Sequence, residues 1–504
     1  MLRFYGPALG IFLAGPLMSN IDNAIVGRSA GTAALAALSP GTILSDQILY
    51  LFSFLGRATT GMTSRAFAKG GESEAKQALR RPLASAFAIG ALALVPSYLF
   101  LTSRALEILR VAPALRGDAA AYATIRGLAA PFALVQSVAL SALLALRDAA
   151  GPLKVVLLAA ALNFFGDLFL CCWPFQLGVA GAAAATSAST AYATFLMLRH
   201  LRKRRLLEDT NRWCLDYVPP FTKQRRQELF GGKGGDSKEN VLRRLRLELG
   251  PLLAYAGPLS VIVVTRLAGF AGMSITIATW GNVPLVAAYQ ISLNAFVLFA
   301  FFAEPLSQTA QAVCPPLVDR RDKEGLKTTL GNLAVLAFII GPIIAAACAA
   351  TLLVAAPLVS ADPAVLDLVA KSAPAVFFTV LQLTLTTTLD GAIVGAKDFN
   401  WILACGTCTC IAQLIALRAI ATWGGLKTPM ASTPITLVFA TFAARLLVYF
   451  LLSGSRVALG FGPLGRALRP QLADKRHQQQ QQRRRLKKTS SRRPEDQQQI
   501  AASD

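Results

Sequence analysis

The chain has 504 residues, 54% of them hydrophobic and only 15% charged, with a mean hydropathy of +0.51. A soluble domain carries about a quarter charged residues, so an ordinary soluble globular class is excluded. The net charge of +23 is distributed as a membrane-topology signal, and no nucleic-acid partner is expected.

Along the chain, apolar blocks fall near 5–27, 42–64, 82–103, 118–144, 153–173 and 177–198. Each is long enough for a helix to cross a hydrocarbon core of about 30 Å. Ala, Gly, Leu and Val dominate, a composition that lets helices approach closely within a bilayer. The alternating segments of an outer-membrane barrel are absent. From 199 to 249 the pattern breaks into basic clusters, Arg202-Lys203-Arg204-Arg205 among them, and the run Gly231-Gly232-Lys233-Gly234-Gly235. Flexible polar sequence of this kind reads as an inter-lobe loop. Six further blocks follow near 250–279, 283–313, 328–358, 366–395, 400–422 and 430–453. Residues 456–504 form a basic tail, with Gln478 to Gln482 followed by Arg483-Arg484-Arg485-Leu486-Lys487-Lys488, expected to be disordered. It is either a solvated charge run that helps set topology or a contact for anionic lipid head groups.

The predicted fold class is thus an all-α integral membrane protein with twelve transmembrane helices in two six-helix lobes, residues 1–198 and 250–455. If both termini and every loop after an even-numbered helix share one side, that side receives most of the Lys and Arg. Arg65, Lys69, Lys76, Arg80, Arg81, Arg147, Lys154, Arg320, Arg321, Lys323, Lys327 and Lys397 all fall there. The bias places both termini in the cytoplasm, or in the stroma of a plastid. No transit or signal peptide is expected before the first span.

The halves repeat at a spacing of about 250 residues, which points to two equal bundles around a cavity, the usual architecture of alternating-access transporters. Tyr5-Gly6-Pro7 answers Tyr255-Ala256-Gly257-Pro258, and Leu35-Ala36-Ala37 answers Leu285-Val286-Ala287. Ala130-Pro131 answers Ala373-Pro374, and Arg147-Asp148 answers Lys397-Asp398.

Several ordered motifs then resemble the multidrug and toxic compound extrusion (MATE) transporters. The first block, Phe4-Tyr5-Gly6-Pro7 through Pro16-Leu17-Met18-Ser19-Asn20-Ile21-Asp22 to Gly27-Arg28, is similar to their first helix. Asn163-Phe164-Phe165-Gly166-Asp167 and Gly178-Val179-Ala180-Gly181 are similar to helices five and six. Ala287-Ala288-Tyr289-Gln290, Glu304-Pro305-Leu306-Ser307-Gln308 and Leu389-Asp390-Gly391-Ala392 continue the likeness, which covers about 1–455. It is strongest to the DinF-like branch, including plastid members of plants and algae. The resemblance implies a secondary antiporter that expels a small organic solute, an aromatic organic anion or a xenobiotic, against H⁺ or Na⁺. It implies a lipid-embedded monomer with no cofactor beyond the coupling ion, in a plastid envelope or else a plasma or vacuolar membrane.

An ionised Asp at mid-bilayer costs about 2.5–3.5 kcal/mol on insertion scales, so a carboxylate there needs a reason. Asp22 lies inside the first block, and Asn163 and Asp167, spaced i, i+4, share one helical face. These residues can exchange a proton, coordinate Na⁺ through oxygen, or simply tie two helices together. The resemblance implies a cation-coupling site at Asp22, Asn163, Asp167 and Thr186. In the second half, many relatives carry a Glu where this chain has Arg266. Arg266 is expected either to form an internal ion pair with Glu304 or Asp390, or to stand unpaired in the cavity and favour an anion. Arg126, Arg418 and Arg445 also lie within blocks, at depths near the block ends that permit snorkelling to the interface.

Cys405, Cys408 and Cys410 read as small buried hydrophobes, and the remaining cysteines as dispersed thiols without a disulfide framework. The two histidines, His200 and His477, lie outside the blocks. With no P-loop and no Ser/His/Asp arrangement, no enzymatic activity is expected. The alternatives are a lipid-linked glycan flippase of the same superfamily, or a non-transporting membrane scaffold.

Overall fold

The computed structural model describes residues 2–108, 111–172, 174–207, 238–279, 283–360, 362–423 and 434–469. The glycine run at 231–235, His477 and the Gln/Arg tail from 470 lie outside these residues. No strand occurs among the described residues.

The first half opens with α1 (Leu2–Ser29), which carries Pro7 and Pro16. The next block is segmented into α2 (Gly31–Thr42), a π-helical stretch Ile43–Gln47 and α3 (Ile48–Leu51). After a turn at Phe52 and Ser53 comes α4 (Phe54–Ala88), which is two helices meeting at Gly70 and Gly71. Gly71 adopts φ 66°, a left-handed angle that glycine takes without the Cβ clash of other residues. A second π-helical stretch, Ile89–Leu94, leads into α5 (Val95–Ile108). Helices α6 (Pro113–Leu128) and α7 (Ala130–Ala145) meet at a 51° bend, with Pro131 in the first turn of α7. Helices α8 (Ala150–Cys171) and α9 (Gly178–Lys203) complete the half.

The second half comprises α10 (Lys238–Thr279), α11 (Val283–Ala300), α12 (Glu304–Asp319) and α13 (Lys323–Val359). Helices α14 (Pro363–Gly395), α15 (Phe399–Trp423), α16 (Pro434–Ala458) and α17 (Gly462–Leu468) follow. Among the described residues nine helical runs are long and apolar enough to cross a membrane, or ten if α6 and α7 form one bent span. The twelve expected from hydropathy are not all met by that test, for two physical reasons. Residues 40–108 form one continuous run through the Gly70–Gly71 corner, and α9 is diluted by Ala, Ser and Thr. Element ends differ from the reading as well. Helix α9 continues to Lys203 and α10 starts at Lys238, both inside the expected loop. The expected tail opens with α17, whose Leu464 and Ala467 are buried.

The sequence repeat has a backbone counterpart. Helix α7 ends with Arg147 at φ 61°, where Arg147 N–H donates to Leu144 and Asp148 N–H to Leu143. Helix α14 ends with Lys397 at φ 65°, donating to Val394, while Asp398 donates to Ile393. Both are the same helix stop, in which a left-handed residue closes the last carbonyls. Gly71 and Arg321, at φ 66° and 54°, mark the corresponding ends of the second block of each half.

Within the halves, α4 packs on α7 and α8 on α1 and α9; α14 packs on α13 and α16, and α10 on α15. The halves meet where α4 and α7 face α10 and α12, and a buried core containing Leu55, Val138, Ile262 and Cys314 crosses this seam. At one end the seam is also polar. Ser64 donates to the Ala312 carbonyl at 2.6 Å, Arg65 pairs with Asp319 at 3.0 Å, and Arg320 donates to the Ala68 carbonyl at 2.8 Å. Arg65 also donates to the Gly395 carbonyl. The outer faces carry exposed apolar side chains such as Leu157, Phe165, Phe169 and Ile343, as suits contact with lipid tails.

Candidate functional site

Two polar sites sit in different places. The first is enclosed in the first half. Because α1 packs along α8, Asp22 meets the face carrying Asn163 and Asp167. The Asn163 amide donates from Nδ2 to Asp22 Oδ1 at 2.8 Å and to Asp167 Oδ2 at 3.1 Å. Its own oxygen accepts from Ser189 of α9 at 3.3 Å. All four residues are buried, Asp167 completely. Thr186 stands close to Asp22, with its hydroxyl donating to the Ala182 carbonyl at 2.8 Å. The second oxygen of Asp167, Oδ1, is buried and has no hydrogen-bond partner among the described residues.

The cluster therefore contains two facing carboxyls, an amide and hydroxyls, but no guanidinium within salt-bridge distance of either carboxyl among the described residues. Two buried carboxylates this close cannot both stay ionised without a positive charge between or beside them. A shared proton removes the conflict directly. Na⁺ would use carboxylate oxygens, Asp167 Oδ1 among them, while the Asn163 Nδ2 stays on the acids.

The second site is a cavity of about 670 Å³ between the halves. Its walls include Arg57 of α4, Ser137 and Ser141 of α7, Arg266 and Phe270 of α10, Glu304 of α12, Asp390 of α14, and Arg445 and Tyr449 of α16. Helix α4 lines it no further than Arg57, and α12 no further than Gln308. The polar seam of Ser64 and Arg65 lies beyond, so that end of the cavity is shut. Neither Asp22 nor Asp167 reaches the cavity.

Of the two partners expected for Arg266, the structure selects Asp390, at 2.7 Å. Asp390 also accepts from the Tyr449 hydroxyl at 2.8 Å and lies 4.0 Å from Arg57. Glu304 pairs instead with Arg57 at 3.6 Å and accepts from Gln308 at 3.2 Å. Arg266 therefore lines the cavity with its charge already matched, and the unpaired alternative does not hold.

Arg126 and Arg445 have polar partners inside the fold. Arg126 binds Asp46 at 3.1 Å, and Asp46 is carried into the cavity wall by the Ile43–Gln47 π-helical stretch. Arg445 follows Phe442 and precedes Leu446 and Tyr449 on one face of α16, and all four line the cavity. Distance from a helix end tells nothing about which way a side chain points, and here the inward face wins. Arg57, Asp46 and Tyr449 were absent from the sequence-based site; the first two were visible as lone charges inside an apolar block.

Cys405 and Cys410 are buried while Cys408 is exposed. The described residues contain no group of three or more His, Cys, Asp or Glu suited to a metal ion.

Comparison with known proteins adds the following. A family model described as MatE matches residues 7–169 and again 258–416, more than half of the chain. The Arabidopsis thaliana "Protein DETOXIFICATION 47, chloroplastic" is 29% identical over 409 residues, covering 80% of this chain and 68% of that protein. The structure of a Vibrio cholerae MATE transporter variant superposes with a TM-score of 0.75 at 15% identity, covering 93% of this chain and 96% of the other. An outward-facing multidrug resistance MATE family transporter superposes at 0.73 with 17% identity, covering 90% and 94%. At these identities the two structures speak for the fold alone.

Proposed function

This chain belongs to the MatE family of multi-pass membrane transporters, and from that premise we propose that it is a secondary antiporter expelling a small organic solute against H⁺ or Na⁺. The observation that carries this reading is the separation of two sites. A carboxyl cluster too enclosed for an organic solute sits in the first half, and a solute-sized cavity sits between the halves.

The cluster takes the coupling ion at Asp22 and Asp167, with Asn163 and Thr186 orienting the carboxyls. Binding the ion neutralises a repulsive pair and changes how α1 rests on α8. Helix α1 is suited to pass this on, because it contains Pro16 and reaches the other half through the Tyr5 hydroxyl, which donates to the Phe302 carbonyl at 3.0 Å. Coupling then requires the ion and the solute to favour different cavity states, since ligands that prefer the same state shift nothing against each other. The shut seam at Ser64, Arg65, Asp319 and Arg320 is the closed gate of one such state.

The basic-loop side holds both termini and faces the cytoplasm or stroma. The Arabidopsis relative is named a chloroplastic protein, and a plastid envelope is the membrane proposed here. The protein works as a monomer surrounded by lipid. A flippase would call for a basic cavity; here Arg57 and Arg266 are each matched by a carboxylate, which favours the antiporter.

The test is flux through purified protein in vesicles, with ethidium and 1-naphthoate as separate probes under an imposed pH or Na⁺ gradient. Wild type is expected to move at least one probe with one gradient, and folded Asp22→Asn and Asp167→Asn proteins to lose that dependence. Gradient-driven flux that persists undiminished in both variants would remove the cluster from the mechanism.

A further inference from the structure

Four guanidiniums and three carboxylates gather at the central cavity or directly behind its wall. Asp46 is held by Arg126, Glu304 by Arg57 and Asp390 by Arg266. The fourth guanidinium, Arg445, has no carboxylate within 4.0 Å among the described residues. Its one hydrogen bond among them goes from Nη1 to the neutral Gln413 Oε1, at 2.9 Å.

The placement of Arg445 is built by its neighbours. Residue 269 of α10 is glycine, and a Cβ there would collide with Arg445 Nη1. Any larger residue would push the guanidinium aside. Gln413 of α15 is buried, and its Nε2 has no partner among the described residues. Beside this pair stands an aromatic wall. Phe270 follows Gly269 and packs edge-on against Phe442, one turn before Arg445, with ring centroids 5.2 Å apart. Phe296 completes the wall at 5.7 Å from Phe442, and all three rings line the cavity.

A half-buried cation without a counter-charge is costly, and an anion that arrives with the solute offsets that cost. The planar fork of Arg suits a carboxylate in particular, since two parallel N–H groups can meet its two oxygens. Aromatic walls exclude water and present ring edges and faces to an apolar body. We propose that Arg445 is the specificity-determining anchor of the cavity, taking the carboxylate of an amphipathic solute whose aromatic body lies against Phe270, Phe296 and Phe442. This rests on the central cavity being the solute site and narrows the solute to an organic anion.

The experiment compares 1-naphthoate with its neutral isostere 1-naphthamide, by calorimetric binding to the purified full-length protein. Wild type is expected to prefer naphthoate by about ten-fold, the equivalent of roughly 1.4 kcal/mol. Arg445→Gln should abolish that preference while leaving naphthamide affinity within about two-fold. Arg445→Lys keeps the charge but loses the fork, and should retain part of the preference. Gly269→Ala displaces the guanidinium without removing it and should also abolish the preference; it carries the test if Arg445→Gln does not fold. Equal binding of the two probes by wild type, or an undiminished preference in both Arg445→Gln and Gly269→Ala, overturns the anchor. Flux separates this from the antiport reading. Naphthoate preference without any gradient-driven flux sinks antiport and leaves the anchor. Gradient-driven ethidium flux in wild type and Arg445→Gln alike, with no naphthoate preference in wild type, sinks the anchor and leaves antiport.

Discussion

Both halves of the molecule bury an aspartate in the membrane-embedded core, and they treat it in opposite ways. In the first half Asp167 has a neutral amide as its neighbour, a second carboxyl facing it, and one oxygen without a hydrogen-bond partner among the described residues. In the second half Asp390 is saturated by Arg266, by the Tyr449 hydroxyl and by the more distant Arg57. The repeat thus preserves the backbone, down to matching left-handed helix stops at Arg147 and Lys397, while the charge chemistry diverges. An acid with a permanent cation beside it has a fixed charge and serves as structure. Two facing carboxyls with no cation within salt-bridge distance among the described residues instead repel each other whenever both are ionised.

The largest expected effect tests the saturated side. Asp390→Asn strands Arg266, and removing one partner of a buried pair costs roughly 3–5 kcal/mol. The side chain of Arg266 is 29% exposed towards the cavity, so the lower end, about 3 kcal/mol, is expected as a fall in thermal stability of the purified protein. Asp167→Asn should behave differently: stability within about 1 kcal/mol of wild type, because the change keeps shape and strands no cation. Its effect belongs in transport, where gradient-driven flux should fall by roughly 5- to 150-fold, the range of typical coupling free energies. Should the two variants destabilise the protein equally, the contrast between the lobes collapses.

How much of this was legible beforehand depends on the kind of information each feature needs. Helical class and membrane residence follow from block hydropathy, which is local. The i, i+4 pair of Asn163 and Asp167 was equally local, and only the packing of α1 on α8 was needed to deliver Asp22 to it. Arg266 could be assigned to one of two acids, but choosing Asp390 requires knowing the separation of α10 from α14. Arg57 is legible only as one of two charges, with Asp46, in an apolar block; its partner Glu304, which like Arg57 follows a short turn, lies in the other half. The inward direction of Arg445 is not legible in its depth along the chain, whereas Phe442 and Tyr449 on its own helix face hold the clue. What makes room for it, Gly269, acquires meaning only once α10 and α16 are side by side.

A smaller effect concerns the seam. Arg65 is buried, but its partner Asp319 is 37% exposed, so the pair is only partly shielded from water. Arg65→Met is expected to weaken the shut state by about 1–2 kcal/mol, between the surface and buried limits for ion pairs. Each 1.4 kcal/mol changes the open-to-shut ratio about ten-fold. Spin labels placed on α4 just before its Gly70–Gly71 corner and near the end of α12 should then report a longer distance population in the variant. The exchange of both residues, Arg65→Asp with Asp319→Arg, should recover part of the short one. An unchanged distance distribution in Arg65→Met would deprive the seam of any gating role.

The smallest effect lies just outside the spans, at the α7 helix stop. Asp148 accepts from His200 at 2.9 Å, from Arg204 at 2.6 Å and from the Gly151 N–H at 3.1 Å. Burial pushes its carboxyl pKa upwards, but the hydrogen bonds from His200, the Gly151 N–H and Arg204 outweigh it and hold the value below the usual carboxylate range. A folded pKa below the unfolded one means that the folded state binds the proton less readily. The resulting stabilisation is present above the ordinary Asp pKa of about 3.9 and fades as pH falls through the lower folded value. Arg204 is 54% exposed, so solvent screening keeps the contribution to about 1 kcal/mol or less. Asp148→Asn should therefore lower thermal stability slightly at neutral pH, and the difference from wild type should shrink on acidification below about pH 4. The equivalent Asp398 is held by Arg456 at 3.0 Å, so Asp398→Asn at neutral pH should cost a similar amount. The two stops are thus expected to match in energy as they match in backbone, which confines the divergence between the halves to the membrane core. A several-fold larger loss at one stop than at the other would show that the halves diverge at their rims as well.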